Sequence, residues 1–353
     1  MGGRGGSMEK LEMLLRELCI SFGVSGFEED TRNVIAEKLK PYADKIEIDP
    51  VGNLICIKEG NPKGKKIMIT AHMDEIGMIV NFIDKNGFVR FRPLGGLDPS
   101  TLQSRYAVIK TKKGFVEGII GVKPFYVKKE EERRKPVDFD DLYMDLGTNS
   151  KEETEELGVK VGDPIALWKD FKIINNKFIA GRPLDNRIGC LVLIKVFKYI
   201  SEKVDDLSIY AVGSVQEELG RRGIQTAAFK LKPDIAICLD VVPELKLPDV
   251  KEHISPIKVG EGVSIGLGDR FMIFSRDIFN LLIKTAEEYN IKYQVGVPGT
   301  GGTDASRLTL AREGIPTGLI DVPVRYTHAP IEFASIEDIK NAIKLCCTFI
   351  ENL

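Results

Sequence analysis

Gln216-Glu217-Glu218-Leu219-Gly220 places two adjacent carboxylates just after the apolar run 207–212. Ligands and catalytic groups of α/β sheets gather where strands end. Consecutive residues there point in different directions, so one Glu can hold a metal while its neighbour carries a proton. An isolated Glu-Glu pair is more often the acidic first turn of a helix, so the rest of the chain must decide. His72 ends the apolar run 66–71, and Asp74 follows two positions later. Residues i and i+2 share a face of an extended chain, so Asp74 could accept the second ring N–H of His72 and fix its tautomer. A histidine held by hydrogen bonds at a polar strand end is the alternative. Asp185 stands in Gly181-Arg182-Pro183-Leu184-Asp185-Asn186-Arg187, between a strand and a helix, where capping the helix explains it well. Asp240 closes the apolar run 235–239, and a buried carboxylate needs a partner. His328 follows the last apolar strand after a short loop.

The combination is more telling than any one member. The chain has three histidines, and two fall at strand ends, with acidic residues at three further ones. Two His and three Asp or Glu suit a pair of divalent metals bridged by one carboxylate. Zinc ions paired at roughly 3.5–4 Å support hydrolytic chemistry of this kind. Thr303 and Asp304 lie in the glycine-rich run 299–304. That run reads as a flexible turn and not a phosphate cradle, because no Lys-Ser/Thr follows it. His253, in a polar loop, reads as a surface residue.

The elements that must position these residues alternate between helix and strand. The apolar stripe at 11, 14, 15, 18 and 19 predicts a helix over 8–22. Ser25-x-x-Glu28 reads as a capping box opening a second helix to about Tyr42. Strands are expected at 46–48, 54–57 and 66–71. From 77 to 168 the texture changes to short strands and tight turns, such as Asp84-Lys85-Asn86-Gly87 and Thr111-Lys112-Lys113-Gly114. A small β domain inserted into the first accounts for this. The alternation then returns, with helices at 186–203, 276–289 and 336–351 (the last capped by Ser335) and strands at 207–212, 234–239 and 317–321. The fold class is therefore α/β with a mixed sheet: 8–76 and 169–353 form one discontinuous domain, and 77–168 the insertion.

Hydrophobic content of 43% and charge content of 29% are those of an ordinary globular protein. A net charge of −2 offers no basic surface for nucleic acid or an anionic membrane, and the apolar runs are too short to span a bilayer. Six cysteines without C-x-x-C spacing read as reduced thiols of a cytoplasmic protein. Residues 1–7 (MGGRGGS) read as an appended tail, with the natural start at Met8.

His72-Met73-Asp74-Glu75-Ile76-Gly77, Leu184-Asp185-Asn186-Arg187, Gln216-Glu217-Glu218-x-Gly220-x-x-Gly223, Leu239-Asp240-Val241, Gly301-Gly302-Thr303-Asp304-Ala305 and Arg325-Tyr326-x-His328 occur in that order. Together they resemble the tetrahedral, or TET-type, aminopeptidases, a family of co-catalytic dimetal peptidases, over essentially the whole chain after Met8. The resemblance implies a zinc-peptidase catalytic domain carrying a small β-barrel that serves dimerisation. It implies one metal on His72 and Asp240, the other on Glu218 and His328, and Asp185 bridging. Glu217 would be the general base, Asp74 the partner of His72, and Thr303 and Asp304 part of the substrate pocket. Two divalent ions per subunit, Zn²⁺ or Co²⁺ with Mn²⁺ as a further option, peptide substrates, a dodecamer built from dimers and a cis peptide at Asp185-Asn186 follow from the same likeness. The chain departs from the family pattern at Phe125-Tyr126, where relatives carry Pro-His, and at Ala329, where they carry serine; neither is a ligand position. A deacylase of N-acyl amino acids and a non-catalytic, self-assembling peptide-binding shell are the competing readings.

Overall fold

The computed structural model of the protein describes residues 5–254, 256–297, 299 and 301–353; residues 1–4 of the expected tail lie outside the described residues. The chain opens with helices α1 (Gly5–Ile20) and α2 (Glu29–Leu39) and strands β1 (Lys45–Ile48), β2 (Leu54–Lys58) and β3 (Lys66–His72). Next come β4 (Gly77–Ile83), β5 (Val89–Leu94), β6 (Tyr106–Thr111), β7 (Gly114–Val122), the short α3 (Glu130–Arg133), β8 (Leu142–Asp145), α4 (Lys151–Glu156) and β9 (Pro164–Leu167). Then follow β10 (Phe171–Ile174), β11 (Phe178–Gly181), α5 (Arg187–Ser201), β12 (Ser208–Ser214), α6 (Gly223–Leu231), β13 (Ile235–Glu244) and β14 (Val263–Gly266). The chain closes with α7 (Arg276–Glu288), β15 (Tyr293–Gly296), α8 (Asp304–Thr309), β16 (Thr317–Arg325), β17 (Glu332–Ser335) and α9 (Ile336–Glu351).

One mixed sheet runs β1-β2-β12-β3-β13-β16-β17-β11-β10, with β14 alongside β16 and β15 outside β14. Its centre, β12-β3-β13-β16, is parallel. Both faces of such strands must be covered, and they are. One face packs on α1, α5 and α9 through Leu239, Ile320, Leu191 and Leu345. The other packs on α6 and α8 through Cys238, Leu319, Ile224 and Leu308. Strands β4-β5-β8-β7-β6-β9 close into a separate barrel around Met78, Phe91, Ile109 and Ile165. The fold class is thus as expected.

Two local readings need correction. Ser25 caps no helix: α2 starts at Glu29 with Glu28 at its N-cap position and no side-chain cap, and the Ser25 hydroxyl is used elsewhere. Asp240 does not end its strand, because β13 continues beside β16 to Glu244. The helix α6 has no counterpart among the expected elements. It starts after Arg222 without a side-chain cap and ends on Lys232 in a left-handed conformation, so neither boundary carries a cap serine or a stop glycine.

The register of the sheet aligns polar side chains. Ser214 lies opposite His72, Asp240 opposite Asp321, and Asp321 opposite Ser264. Cys238 pairs with Thr70, which brings His72 level with Asp240 two residues on. Directly opposed residues share a face, so a polar row crosses five strands on the α6–α8 side.

The barrel joins the sheet through segments 73–76 and 168–170. Glu75 from one and Lys169 from the other form a buried ion pair, and Arg187 of α5 lies 3.4 Å from the same Glu75 oxygen. Arg187 also donates to the Met73 and Leu18 carbonyls. Asn53 fastens the next critical segment. Its Oδ1 accepts the Val215 N–H at 3.0 Å, while Nδ2 donates to Asp49 and to the Gly223 carbonyl. Asn53→Ala leaves the Val215 N–H buried without that acceptor and is expected to destabilise the protein by about 3 kcal/mol. Urea unfolding measures this, and a change below about 0.5 kcal/mol, the size of an ordinary surface substitution, contradicts the clamp.

Candidate metal centre

The ligand atoms of His72, Asp185 and Asp240 lie within 4.8 Å of one another, and so do those of Asp185, Glu218 and His328. Asp185 belongs to both groups and turns one oxygen to each. Its Oδ1 is 3.1 Å from His72 Nε2, and its Oδ2 is 3.4 Å from His328 Nε2. Asp240 stands 3.5 Å from His72 Nε2, and Glu218 stands 3.3 Å from His328 Nε2. Glu217 forms a third group with His72 and Glu218.

Each side chain is held from behind. Asn186, not Asp185, caps α5, accepting the Gly189 N–H at 2.9 Å, and its amide donates to the Leu239 carbonyl next to Asp240. Asp185 is therefore free for other work, and its bond to Asn186 is cis. His72 Nδ1 meets the main-chain carbonyl of Asp74 at 3.2 Å, with the Asp74 carboxylate at 3.4 Å. That carboxylate is chiefly the receptor of a turn. It accepts from the Ser25 hydroxyl at 2.5 Å and from the N–H groups of Glu217 and Glu218 at 2.9 and 3.1 Å.

Sequence reasoning missed three supporting residues. Glu332 accepts the Leu184 and Asp185 N–H groups on one oxygen and the His328 N–H on the other. Glu28 accepts the Gly26 and Gln216 N–H groups. The Gly96 carbonyl, in the loop after β5, lies 3.1 Å from His328 Nδ1. Single acidic residues between apolar neighbours, as in Ile331-Glu332-Phe333, were the available signal. Gly96 had only its glycine: a Cβ there would stand 3.0 Å from His328 Nδ1. Thr303 caps α8 by accepting the Ala305 N–H, and the buried Asp304 accepts from the Ser214 hydroxyl at 2.5 Å. His253 is exposed.

Charge at the centre is out of balance. Burial pushes the carboxyl groups of Glu217, Glu218 and Asp240 up. Burial works against a charged His72, yet Asp185, Asp240 and Asp74 raise its ring well above the usual range. For His328 the same contest, won by Asp185 and Glu218, ends at about 11. Against its burial, the two rings hold Asp185 well below the ordinary carboxylate range. Asp185 Oδ1 is buried without a hydrogen-bond partner among the described residues, although it lies within 3.1 Å of His72. Imidazole and carboxylate donors that converge in this way fit divalent cations of the zinc, cobalt or manganese type.

Glu28 supplies a test away from the ligands. Burial, helped by the Asp74 charge, raises it from an ordinary 4.5 to about 7. Between those values the folded protein holds a proton that the unfolded chain has released, so stability falls as pH rises through this window. Glu28→Gln keeps an acceptor for both N–H groups and removes the titration. Between pH 4.5 and 7 the variant is expected to lose less stability than the parent, by a few kcal/mol, in denaturant titrations of metal-free protein. Parallel pH profiles contradict this.

Residues 52–345 match the M42 glutamyl aminopeptidase family. The chain is 35% identical to the lysyl aminopeptidase of Pyrococcus furiosus, over 96% of each protein. A TET aminopeptidase from a marine sediment archaeon of the Thaumarchaeota superposes with a TM-score of 0.95 at 36% identity, over 99% of this chain and 98% of the other. The TET1 peptidase of Pyrococcus horikoshii, which can assemble into a tetrahedron or a large octahedral shell, superposes at 0.85 with 32% identity over 96% and 98%. The chain belongs to the M42 family of aminopeptidases, hydrolases that remove residues from the N-terminus of peptides.

Proposed function

We propose that this enzyme is a dimetal aminopeptidase in which His72 and Asp240 hold one divalent cation, Glu218 and His328 the other, and Asp185 bridges them. The single observation that carries this reading is the sharing of Asp185 between two ligand groups, one carboxylate oxygen turned to each. Zinc and cobalt suit the donor set best. Two such cations, when bound, lower the pKa of a shared water and offset charge developing on a carbonyl oxygen.

The remaining work falls to the chain itself. Glu217 lies within reach of both His72 and Glu218, and burial makes its carboxylate a stronger base than an exposed one. It accepts a proton from the attacking water and returns it to the departing amine. Asp74 fixes the main chain of Glu217 and Glu218, and Glu332 fixes that of Asp185 and His328. The excess of acidic groups favours a substrate that presents a free α-amino group. Names within the family divide between glutamyl and lysyl, so they do not assign a preferred first residue.

The division into a catalytic domain (8–76 and 169–353) and an inserted dimerisation barrel (77–168) belongs to the same reading. Phe125, Tyr126 and Val127 on the insertion are 68%, 80% and 52% exposed, and apolar exposure of that kind marks contact surface. The assembly of the P. horikoshii relative supports a homo-oligomer, with dimers building a dodecamer. Six unpaired, buried cysteines and the lack of a helix long and apolar enough to cross a membrane among the described residues agree with a cytoplasmic setting.

Glu217→Gln is expected to lower kcat by at least about 100-fold, with metal content unchanged by elemental analysis. Full turnover in a metal-loaded variant removes Glu217 from the mechanism. Acetylation of the substrate's N-terminus is expected to abolish cleavage, whereas a deacylase would accept the blocked substrate.

A further inference from the structure

Two segments meet beside the turn that carries Glu217 and Glu218, and one side chain of that turn, with no part in the reading above, touches both. Arg221 leaves the turn at a left-handed φ of 60°, and its main-chain N–H donates to the Glu217 carbonyl at 2.7 Å. Its guanidinium lies over the Phe271 ring, 4.1 Å from the centroid. Nη1 donates to the Ser306 hydroxyl at 2.9 Å and stands 3.9 Å from the buried carboxylate of Asp269. Gly302 closes the stack: a Cβ there would stand 2.4 Å from Arg221 Nη1 and 2.4 Å from the Phe271 ring. The main chain of the glycine-rich run therefore lies directly against the stacked pair, an approach that glycine permits. The two segments also bond to each other, since the Arg270 N–H donates to the Gly301 carbonyl and Asp269 accepts the Thr303 N–H, both at 3.0 Å.

The loop held in this way borders the centre. Asp304 bonds the Ser214 hydroxyl, on the residue directly opposite His72, and its charge acts on both Glu217 and Asp240. A peptide whose scissile carbonyl lies at Glu217 therefore has this loop beside it. Glu217 and Glu218 do not need the Arg221 side chain: Asp74 holds their N–H groups, and the bond from the Arg221 main chain to Glu217 survives a change of side chain. What the guanidinium adds is a fixed spacing between the turn and the loop. A planar, permanently charged group suits that task, because its face stacks on an aromatic ring while its edge donates hydrogen bonds. Phe271 is 59% exposed, so its ring serves the stack and not the core.

We propose that Arg221, stacked on Phe271 and Gly302, is a positioning residue that fixes the Thr303–Asp304 loop against the Glu217-Glu218 turn, so that substrate binding depends on it and the chemical step does not. The assignment rests on the aminopeptidase reading and adds to it a residue that acts on KM.

The test measures kcat and KM separately on the cobalt-loaded enzyme, with whichever of leucyl, lysyl and glutamyl p-nitroanilide the parent cleaves best. Arg221→Met is expected to raise KM by at least about tenfold, the loss of one charge-assisted hydrogen bond and its stack, with kcat and metal content unchanged. Phe271→Leu is expected to raise KM by about threefold, the size of an exposed cation–π contact, and Phe271→Tyr to keep the parental value. The double variant is expected to match Arg221→Met alone, because the two side chains act through one stack. A parental KM in Arg221→Met overturns the assignment, as does a double variant in which the two effects multiply. A fall in kcat or in bound cobalt with KM unchanged also overturns it, since that places Arg221 in the service of the metal centre. Should Arg221→Met fail to fold, the exposed Phe271→Leu decides by itself, and a parental KM there is the overturning result. Those outcomes leave the aminopeptidase reading standing, whereas a parent that cleaves none of the three substrates brings down both.

Discussion

Crowding of buried negative charge is the constraint on which the rest of this structure depends. Asp185, Glu217, Asp240, Asp74, Glu332, Glu28, Asp304 and Asp321 are all less than a tenth exposed, and most of them face one region at the end of β3. Carboxylates this close repel, and each loses solvation on burial. The fold answers in two ways. One set turns its oxygens to backbone N–H groups, as Asp74, Glu332 and Glu28 do. The other set, centred on Asp185, points inward toward two imidazole rings, with Asp185 Oδ1 left without a hydrogen-bond partner among the described residues. A site of that composition is at ease only with cations inside it.

The backbone-facing acids also explain how unusual local conformations persist. Gln216 and His328 adopt left-handed φ values of 54° and 65°, which non-glycine residues rarely occupy. In both cases the residue's own N–H is bonded to a buried glutamate, Glu28 for one and Glu332 for the other. Each strained turn presents a side chain of the candidate site, Glu217 just after Gln216 and the ring of His328 itself. The glutamates thus convert solvation lost on burial into fixed positions for the groups that would do the chemistry.

Much of the site was legible because its members lie at the ends of apolar runs. His72 ends a buried strand and Glu218 follows one, and an acidic residue or histidine there has few structural explanations. Asp185 was ambiguous for a physical reason: the position before a helix suits a cap as well as a ligand, and only the fold shows that Asn186 takes the cap. Asp321 escaped notice although it sits in the apolar strand Thr317–Arg325. Its place opposite Asp240 depends on which strand lies beside it, and parallel pairing between β13 and β16 is not encoded locally. The same holds for Ser25, whose spacing to Glu28 imitates a capping box while its hydroxyl serves Asp74. Of the overall architecture, the long periodic helices and the hairpin-rich insertion were readable. The short helix α6, which has neither a cap nor a stop residue, was not.

The barrel is tied to the site, and this follows from two separate contacts. The Gly96 carbonyl reaches His328 Nδ1 from the loop that follows β5, so a barrel strand sets which ring nitrogen of that histidine faces Glu218 and Asp185. At the other side, Glu75 and Lys169 close both connections to the barrel over Arg187, whose guanidinium also holds the Met73 carbonyl, one residue from His72. Movement of the barrel relative to the sheet would therefore disturb the two histidines through different routes, one through a direct hydrogen bond and one through a buried ion cluster. An insertion that only mediated contacts between subunits would need neither. Both histidines are held to the same body, so whatever steadies the barrel steadies the two rings together.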